Sequence, residues 1–229
     1  MTTSPSNTVL AFDVYGTLID PFHMEEHLRP AFGQRAREAS EMWRGKQLEY
    51  SFRRSLMKKY ADFNQCTAQA LRFVCAQLGV SFSEETLKEL MDQYLRLPAY
   101  PDVPAALQSL AARGFKIVAC SNGTESAVRS LLEHAGVLPR FSGIVSVDHI
   151  RTFKPDPAVY EYLAAETRAA KENVWLISSN PFDVIGAKAY GLRAAWVRRD
   201  PKRAFDPWEF EADLIVESLG ELGDKLNIA

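Results

Sequence analysis

The chain has 229 residues, 47% of them hydrophobic and 24% charged, a balance that fits one or two compact domains with a sizeable core. A formal net charge of −2 provides no broad basic surface for nucleic acid or an anionic membrane, so any affinity for an anion must be local. No apolar run approaches the ~20 residues that span a bilayer, and the opening MTTSPSNTVLAFD has no basic stretch followed by an apolar one, so the expected place is the cytoplasm, without a secretory leader.

Residues 9–12 read as a buried strand that delivers Asp13 at its end. From about 21 to 97 no convincing strand follows. Leu48, Phe52, Leu56 and Tyr60 recur every four residues and predict one helix face. Leu71, Val74, Cys75 and Leu78 predict a second, and Leu87, Leu90, Met91 and Tyr94 a third. Residues 97–101, Leu-Pro-Ala-Tyr-Pro, read as a return hinge.

Strands and helices then alternate. Asp102 is placed to cap a helix carrying Leu107 and Leu110, which Gly114 stops. A strand at 116–120 runs into Ser121. Thr124 caps a helix with Val128, Leu131 and Leu132 inward and Gly136 at its end. A strand at 143–146, a helix with Tyr160 and Leu163, and a strand at 174–177 running into Ser178 come next. A helix from near Asp183 to before Gly191, a strand at 194–197 and a weaker one at 213–216 complete the chain. The pattern predicts an α/β protein, a Rossmann-like three-layer parallel-sheet core from residues 1–20 and 98–229 with an all-helical domain inserted at 21–97.

Cys66, Cys75 and Cys120 are odd in number and form no Cys-x-x-Cys, so reduced, buried thiols are expected. His23, His27, His134 and His149 have no metal-ligand spacing. Neither a metal nor another cofactor is expected. In an open parallel sheet, ligands bind beyond the carboxyl ends of the strands. That rule selects loops 13–17, 121–124, 152–155 and 178–183, which bring Asp13, Ser121, Lys154 and Asp183 to one edge.

In this order the four loops resemble the motifs of the haloacid dehalogenase superfamily: Asp-x-x-Gly-Thr at 13–17, Ser-Asn-Gly at 121–123, Lys154-Pro155 and Asp183. The inserted helices resemble its cap domain, and the resemblance covers nearly the whole chain. Magnesium-dependent phosphatases of the superfamily carry Asp-x-Asp in the first motif, whereas Tyr15 stands at the second Asp here. Asp183 is the only carboxylate of the fourth motif, a poor start for an octahedral oxygen site. The stretches 12–18, 178–180, 42–50 and 54–57, followed by Tyr60 and Phe63, are similar instead to the L-2-haloacid dehalogenase branch.

That resemblance implies a small 2-haloacid as substrate and halide as product, with Asp13 as nucleophile, Lys154 as fixed cation and Asp183 as general base. Two anions about 4 Å apart repel by roughly 4 kcal/mol at an effective dielectric near 20, so a cation is needed. Ser121, Asn122 and loop N–H groups near Tyr15 would hold the substrate carboxylate. Arg44, Asn180 and the edge of Phe182 would cradle the halide. Tyr15, Leu48 and Phe63 would wall the alkyl group, although Leu48, Phe63 and Phe182 suit plain core packing equally well. Val14, Ser178 and Tyr160 are expected beside the substrate, Tyr160 on the Lys154 side, with Thr17 and Ser179 orienting the carboxylates. Gly45 and Phe182 depart from the Gln and Trp common in that branch. The family implies a homodimer through cap helices, which the faces around Leu56 and Tyr60 permit, while a buried cap–core contact explains them as well.

Overall fold

The six apolar runs become six parallel strands in a computed structural model that describes residues 7–226. Residues 1–6 and 227–229, the two ends of the expected core, lie outside the described residues, and with them the start of the opening from which no secretory leader is expected. The strands are β1 (Val9–Phe12), β2 (Lys116–Ser121), β3 (Gly143–Ser146), β4 (Val174–Ser178), β5 (Arg193–Val197) and β6 (Leu214–Val216). Their order is β3-β2-β1-β4-β5-β6, with Val9 level with Lys116 on one side and Val174 on the other. β1 and β4 are buried along their whole length, as a parallel sheet covered on both faces requires. This doubly wound order reverses direction at β1, so the crevice for a ligand opens where β1 and β4 end, at Asp13 and Ser179.

Between β1 and β2 the described chain is helical: α1 (Met24–Phe32), α2 (Ala36–Leu56), α3 (Phe63–Leu78), α4 (Glu84–Tyr94) and α5 (Val103–Ala112). α6 (Glu125–His134), α7 (Pro157–Thr167) and α8 (Pro181–Tyr190) connect successive strands, and α9 (Leu222–Lys225) follows β6. α7 packs with α8, and α5 with α9, giving the helical layers of the core. Among the described residues, no helix is long and apolar enough to cross a membrane.

Two expectations need correction. The stripe Leu48, Phe52, Leu56, Tyr60 is not the buried face of α2. The helix ends at Leu56, which is 84% exposed, and Tyr60 lies beyond it. The buried face is Ala36, Ala39, Ser40, Trp43, Gln47 and Ser51. Its polar members are satisfied: Gln47 Nε2 donates to Thr67 Oγ1 at 2.5 Å, and the Trp43 indole donates to the Thr67 carbonyl at 2.8 Å. The apolar stripe turns elsewhere, Phe52 meeting Phe182 of α8 with ring centroids 5.1 Å apart. Asp102 stands at the start of α5 without capping it. Its carboxylate instead takes both 2.7 Å bonds from Arg199 Nη1 and one from the Leu219 amide at 2.8 Å. A bidentate charged partner outcompetes a single backbone N–H. Thr124 does cap α6, accepting from the Ala127 amide at 3.3 Å.

Candidate active site

The first loop is a tight turn that aims Thr17 back at Asp13. The Val14 carbonyl accepts the amides of Leu18 and Ile19 at 3.0 Å, and the Gly16 amide donates to the Ile19 carbonyl at 2.7 Å. Gly16 has φ +93°, a left-handed conformation that glycine adopts without steric cost. A Cβ there would also stand 3.4 Å from Ser179 Oγ and 3.6 Å from Asn180 Nδ2. Thr17 Oγ1 donates to Asp13 Oδ2 at 2.8 Å, as does Asn180 Nδ2 at 2.8 Å, with Ser178 Oγ at 3.4 Å. Asp13 Oδ1 accepts from Lys154 Nζ at 3.0 Å. Asp13 is only 6% exposed.

Lys154 is buried at 1% exposure, and three bonds place its ammonium. Nζ donates to Asp13 Oδ1, to Asp183 Oδ2 at 2.8 Å and to the Cys120 carbonyl at 2.8 Å. Asn122 Oδ1 accepts the Lys154 amide at 3.0 Å, tying the second and third loops together. Burial alone would pull this amine down. The two carboxylates outweigh it and hold the pKa above the ordinary lysine range. Burial also pushes the Cys120 thiol up to about 12, against the pull of the neighbouring ammonium, so it stays protonated.

Asp183 lies in the first turn of α8 and is fully buried. Burial is the main influence on its carboxyl, and the charge of Asp13 acts the same way. Against the opposing pull of Lys154 they leave its pKa raised. The Tyr160 hydroxyl donates to Asp183 Oδ1 at 2.9 Å. Burial and that carboxylate push the phenol well above its usual range, so it remains a donor. Gly186 makes this possible. A Cβ at that position would collide with the Tyr160 hydroxyl and with Pro155. The need for glycine there was not visible in the sequence, where position 186 is one more small residue of a helix.

On the opposite wall, Arg44 of α2 donates to the Tyr15 carbonyl at 3.0 Å and to Gln47 Oε1 at 2.7 Å. The Tyr15 ring stands 5.5 Å from that of Phe63 and 5.6 Å from that of Tyr94. Its hydroxyl is buried without a hydrogen-bond partner among the described residues. Arg44 and Leu48 line a cleft of about 580 Å³ that reaches Gly16, Ser179 and Asn180.

The structure thus gathers Asp13, Thr17, Lys154, Ser178, Asn180 and Asp183 at one point. Other expected positions differ. Asn180 does not stand free for a halide, because its amide is committed to Asp13 and, at 3.1 Å, to the Tyr15 carbonyl. Ser179 orients neither carboxylate directly. Its hydroxyl donates to the Gly16 carbonyl at 2.5 Å, and its amide fixes Thr17 Oγ1 at 2.8 Å. Tyr160 is fully buried against Asp183, and Val14 is a buried turn residue. Phe182 leans on Phe52. Ser121 Oγ accepts the Gly123 amide at 3.1 Å, leaving its own proton to donate.

A buried ammonium held between two carboxylates at the switch point of a doubly wound sheet defines the class, and comparison with known proteins agrees. The model of the haloacid dehalogenase-like hydrolases matches residues 8–191, and the chain belongs to that family. Within it the chain falls in the L-2-haloacid dehalogenase branch. It is 40% identical over 190 residues to an (S)-2-haloacid dehalogenase of Pseudomonas sp. (strain YL), covering 83% of this chain and 82% of that one. It is 36% identical to (S)-2-haloacid dehalogenase 2 of Pseudomonas sp. (strain CBS-3), covering 96% of each. The L-2-haloacid dehalogenase of Xanthobacter autotrophicus with chloropropionic acid covalently bound superposes with a TM-score of 0.90 at 31% identity, over 97% of this chain and 99% of that one.

Proposed function

We propose that this protein hydrolyses the carbon–halogen bond of short (S)-2-haloacids to (R)-2-hydroxyacids, through an ester on Asp13 and with inversion at C2. The observation that carries the reading is the single Lys154 ammonium shared by Asp13 and Asp183, beside an aromatic Tyr15 where a phosphatase needs a second carboxylate. Asp13 Oδ2 is engaged by Thr17, Asn180 and Ser178, while Oδ1 receives Lys154 alone among the described residues. Oδ1 therefore keeps a lone pair for attack on C2, and the carbon–halogen pair of electrons leaves with the halide. Arg44, with a weakly hydrated guanidinium, suits that halide. The Ser121 hydroxyl and the Asn122 loop suit the substrate carboxylate. Residues 21–97 act as the cap over this reaction.

In the second step Asp183 takes a proton from water, which attacks the ester carbonyl of Asp13. The acyl–oxygen bond breaks, Asp13 is restored, and the hydroxyacid leaves with the proton. C2 is untouched in this step, so the inversion of the first step persists. The raised pKa of Asp183 suits a base, and the Lys154 charge eases the crowding of anions. The reading includes a homodimer, for which the exposed Leu56 and Met57 offer apolar surface. Separate enantiomers of 2-chloropropionate, assayed in EDTA, test the activity. Chloride release from the S enantiomer with (R)-lactate as product is expected. Folded protein that releases chloride from neither would reject the reading, and magnesium-stimulated phosphate-ester hydrolysis instead would favour a phosphatase.

A further inference from the structure

The cleft beside Asn180 is lined by four arginines, and only two of them have carboxylate partners. Arg37 is paired with Glu41 at 2.9 Å, and Arg199 with Asp102 at 2.7 Å. Arg44 donates to neutral acceptors, the Tyr15 carbonyl and Gln47, and has no carboxylate partner among the described residues. Arg203, in the excursion between β5 and β6, has no side-chain hydrogen bond or ion pair among the described residues. Asp200 and Asp206 act on it only from longer range. Arg203 is exposed at the rim of the cleft, and the charge of Arg44 acts on it from nearby.

Of the acids lining the same cleft, two are ion-paired with other arginines and two accept neutral donors. Glu41 holds Arg37, and Glu25 holds Arg29 at 2.8 Å. Asp20 accepts the Phe22 amide at 2.9 Å and the Tyr100 hydroxyl at 3.3 Å, and Asp200 accepts the Lys202 amide at 2.9 Å. The excursion that carries Arg203 is itself anchored to the nucleophile loop. Arg199 donates to the Thr17 carbonyl at 2.7 and 3.2 Å and lies 4.3 Å from the Tyr100 ring, and Phe205 packs on Trp196 at 5.1 Å. Two like charges are thus held toward one cleft by an anchored loop on one side and a helix on the other. A small anion between them would gain charge-assisted hydrogen bonds from both sides.

We propose that Arg44 and Arg203 form a two-guanidinium site at the mouth of the active site for a small monovalent anion in transit, either the substrate carboxylate entering or the halide leaving. The identity of the anion rests on the dehalogenase reading; the existence of the site does not. Arg203 is a binding residue here and touches no reacting atom.

The test uses the full chain with chemistry blocked by Asp13→Asn. Sodium bromide and sodium propionate are titrated separately, at constant ionic strength, into this variant and into Asp13→Asn/Arg203→Gln, with binding followed by calorimetry. Arg203→Gln should weaken at least one anion about three- to tenfold. Loss confined to bromide marks an exit for halide, and loss confined to propionate an entrance for carboxylate. In the otherwise native enzyme, Arg203→Gln should raise KM or the sensitivity to added halide more than it lowers kcat, with Arg203→Lys recovering most of the change. Unchanged binding of both anions, with an unchanged circular dichroism spectrum, would overturn the proposal. If the parent enzyme turned over no haloacid, the functional reading would fail while the binding arm still decided the site.

Discussion

The floor and the roof of the site differ in how tightly they are held. On the floor, Asp13, Lys154 and Asp183 are almost wholly buried, and each hydrogen of the ammonium has an acceptor. On the roof, Arg44, Leu48 and Phe182 are half-buried, and Arg44 meets the core through one bond to the Tyr15 carbonyl. The contrast follows from electrostatics. A buried charge without its partner costs several kcal/mol, so the floor tolerates no loose end, whereas half-exposed groups are screened by water and free to exchange partners. Mutations in the floor should therefore damage fold and turnover together, and those in the roof should damage turnover alone.

The largest effect should come from Lys154→Met. It leaves two buried carboxylates facing each other, and urea unfolding should show a loss of about 3–5 kcal/mol with no measurable turnover. The sign with pH is fixed by the raised pKa of Lys154. Its stabilisation is complete below the unfolded value of about 10.4 and fades only as pH rises through the higher folded value. A Lys154→Met protein as stable as its parent at pH 7 would break the contrast.

Gly186→Ala comes next. The added methyl must displace Tyr160 or Pro155, costing about 1–3 kcal/mol of overpacking, and kcat should fall because Asp183 loses its donor. Arg44→Lys sharpens the other side of the comparison. It should lower kcat/KM roughly 10- to 100-fold yet move the unfolding midpoint little, since a half-exposed charge contributes about 0–1 kcal/mol. Smallest is Tyr160→Phe. The acid limb of kcat/KM should already lie above the ordinary carboxylate value of about 4, because Asp183 is raised, and no alkaline limb from Lys154 should appear below about pH 10. The Tyr160 bond favours the ionised carboxylate, so its removal should move the acid limb up. A limb moving down would contradict the assignment of Asp183 as base.

What could be read from the sequence tracks how local each determinant is. The strands were legible because short apolar runs between helical patterns have few other solutions, and Asp13, Lys154 and Asp183 followed from standing in the loops after them. What stayed hidden depends on partners distant in sequence. Asp102 looks like a helix cap until Arg199, 97 positions later, claims it. Asn180 looks free until Asp13 takes its amide. The stripe Leu48–Phe52–Leu56 has the right period for a helix, but period alone does not say which face is buried or where the helix stops, and Leu56 ends it exposed. Gly186 required knowing that a tyrosine from another helix passes it within contact distance.

The nucleophilic role proposed for Asp13 can be tested by a single turnover of (S)-2-chloropropionate in H₂¹⁸O with enzyme in excess, followed by proteolysis and mass spectrometry. Water that attacks an ester on Asp13 must leave one ¹⁸O in the carboxylate of that residue, with the lactate hydroxyl unlabelled. Label in the lactate hydroxyl and none in the peptide carrying Asp13 would mean that water itself displaces the halide.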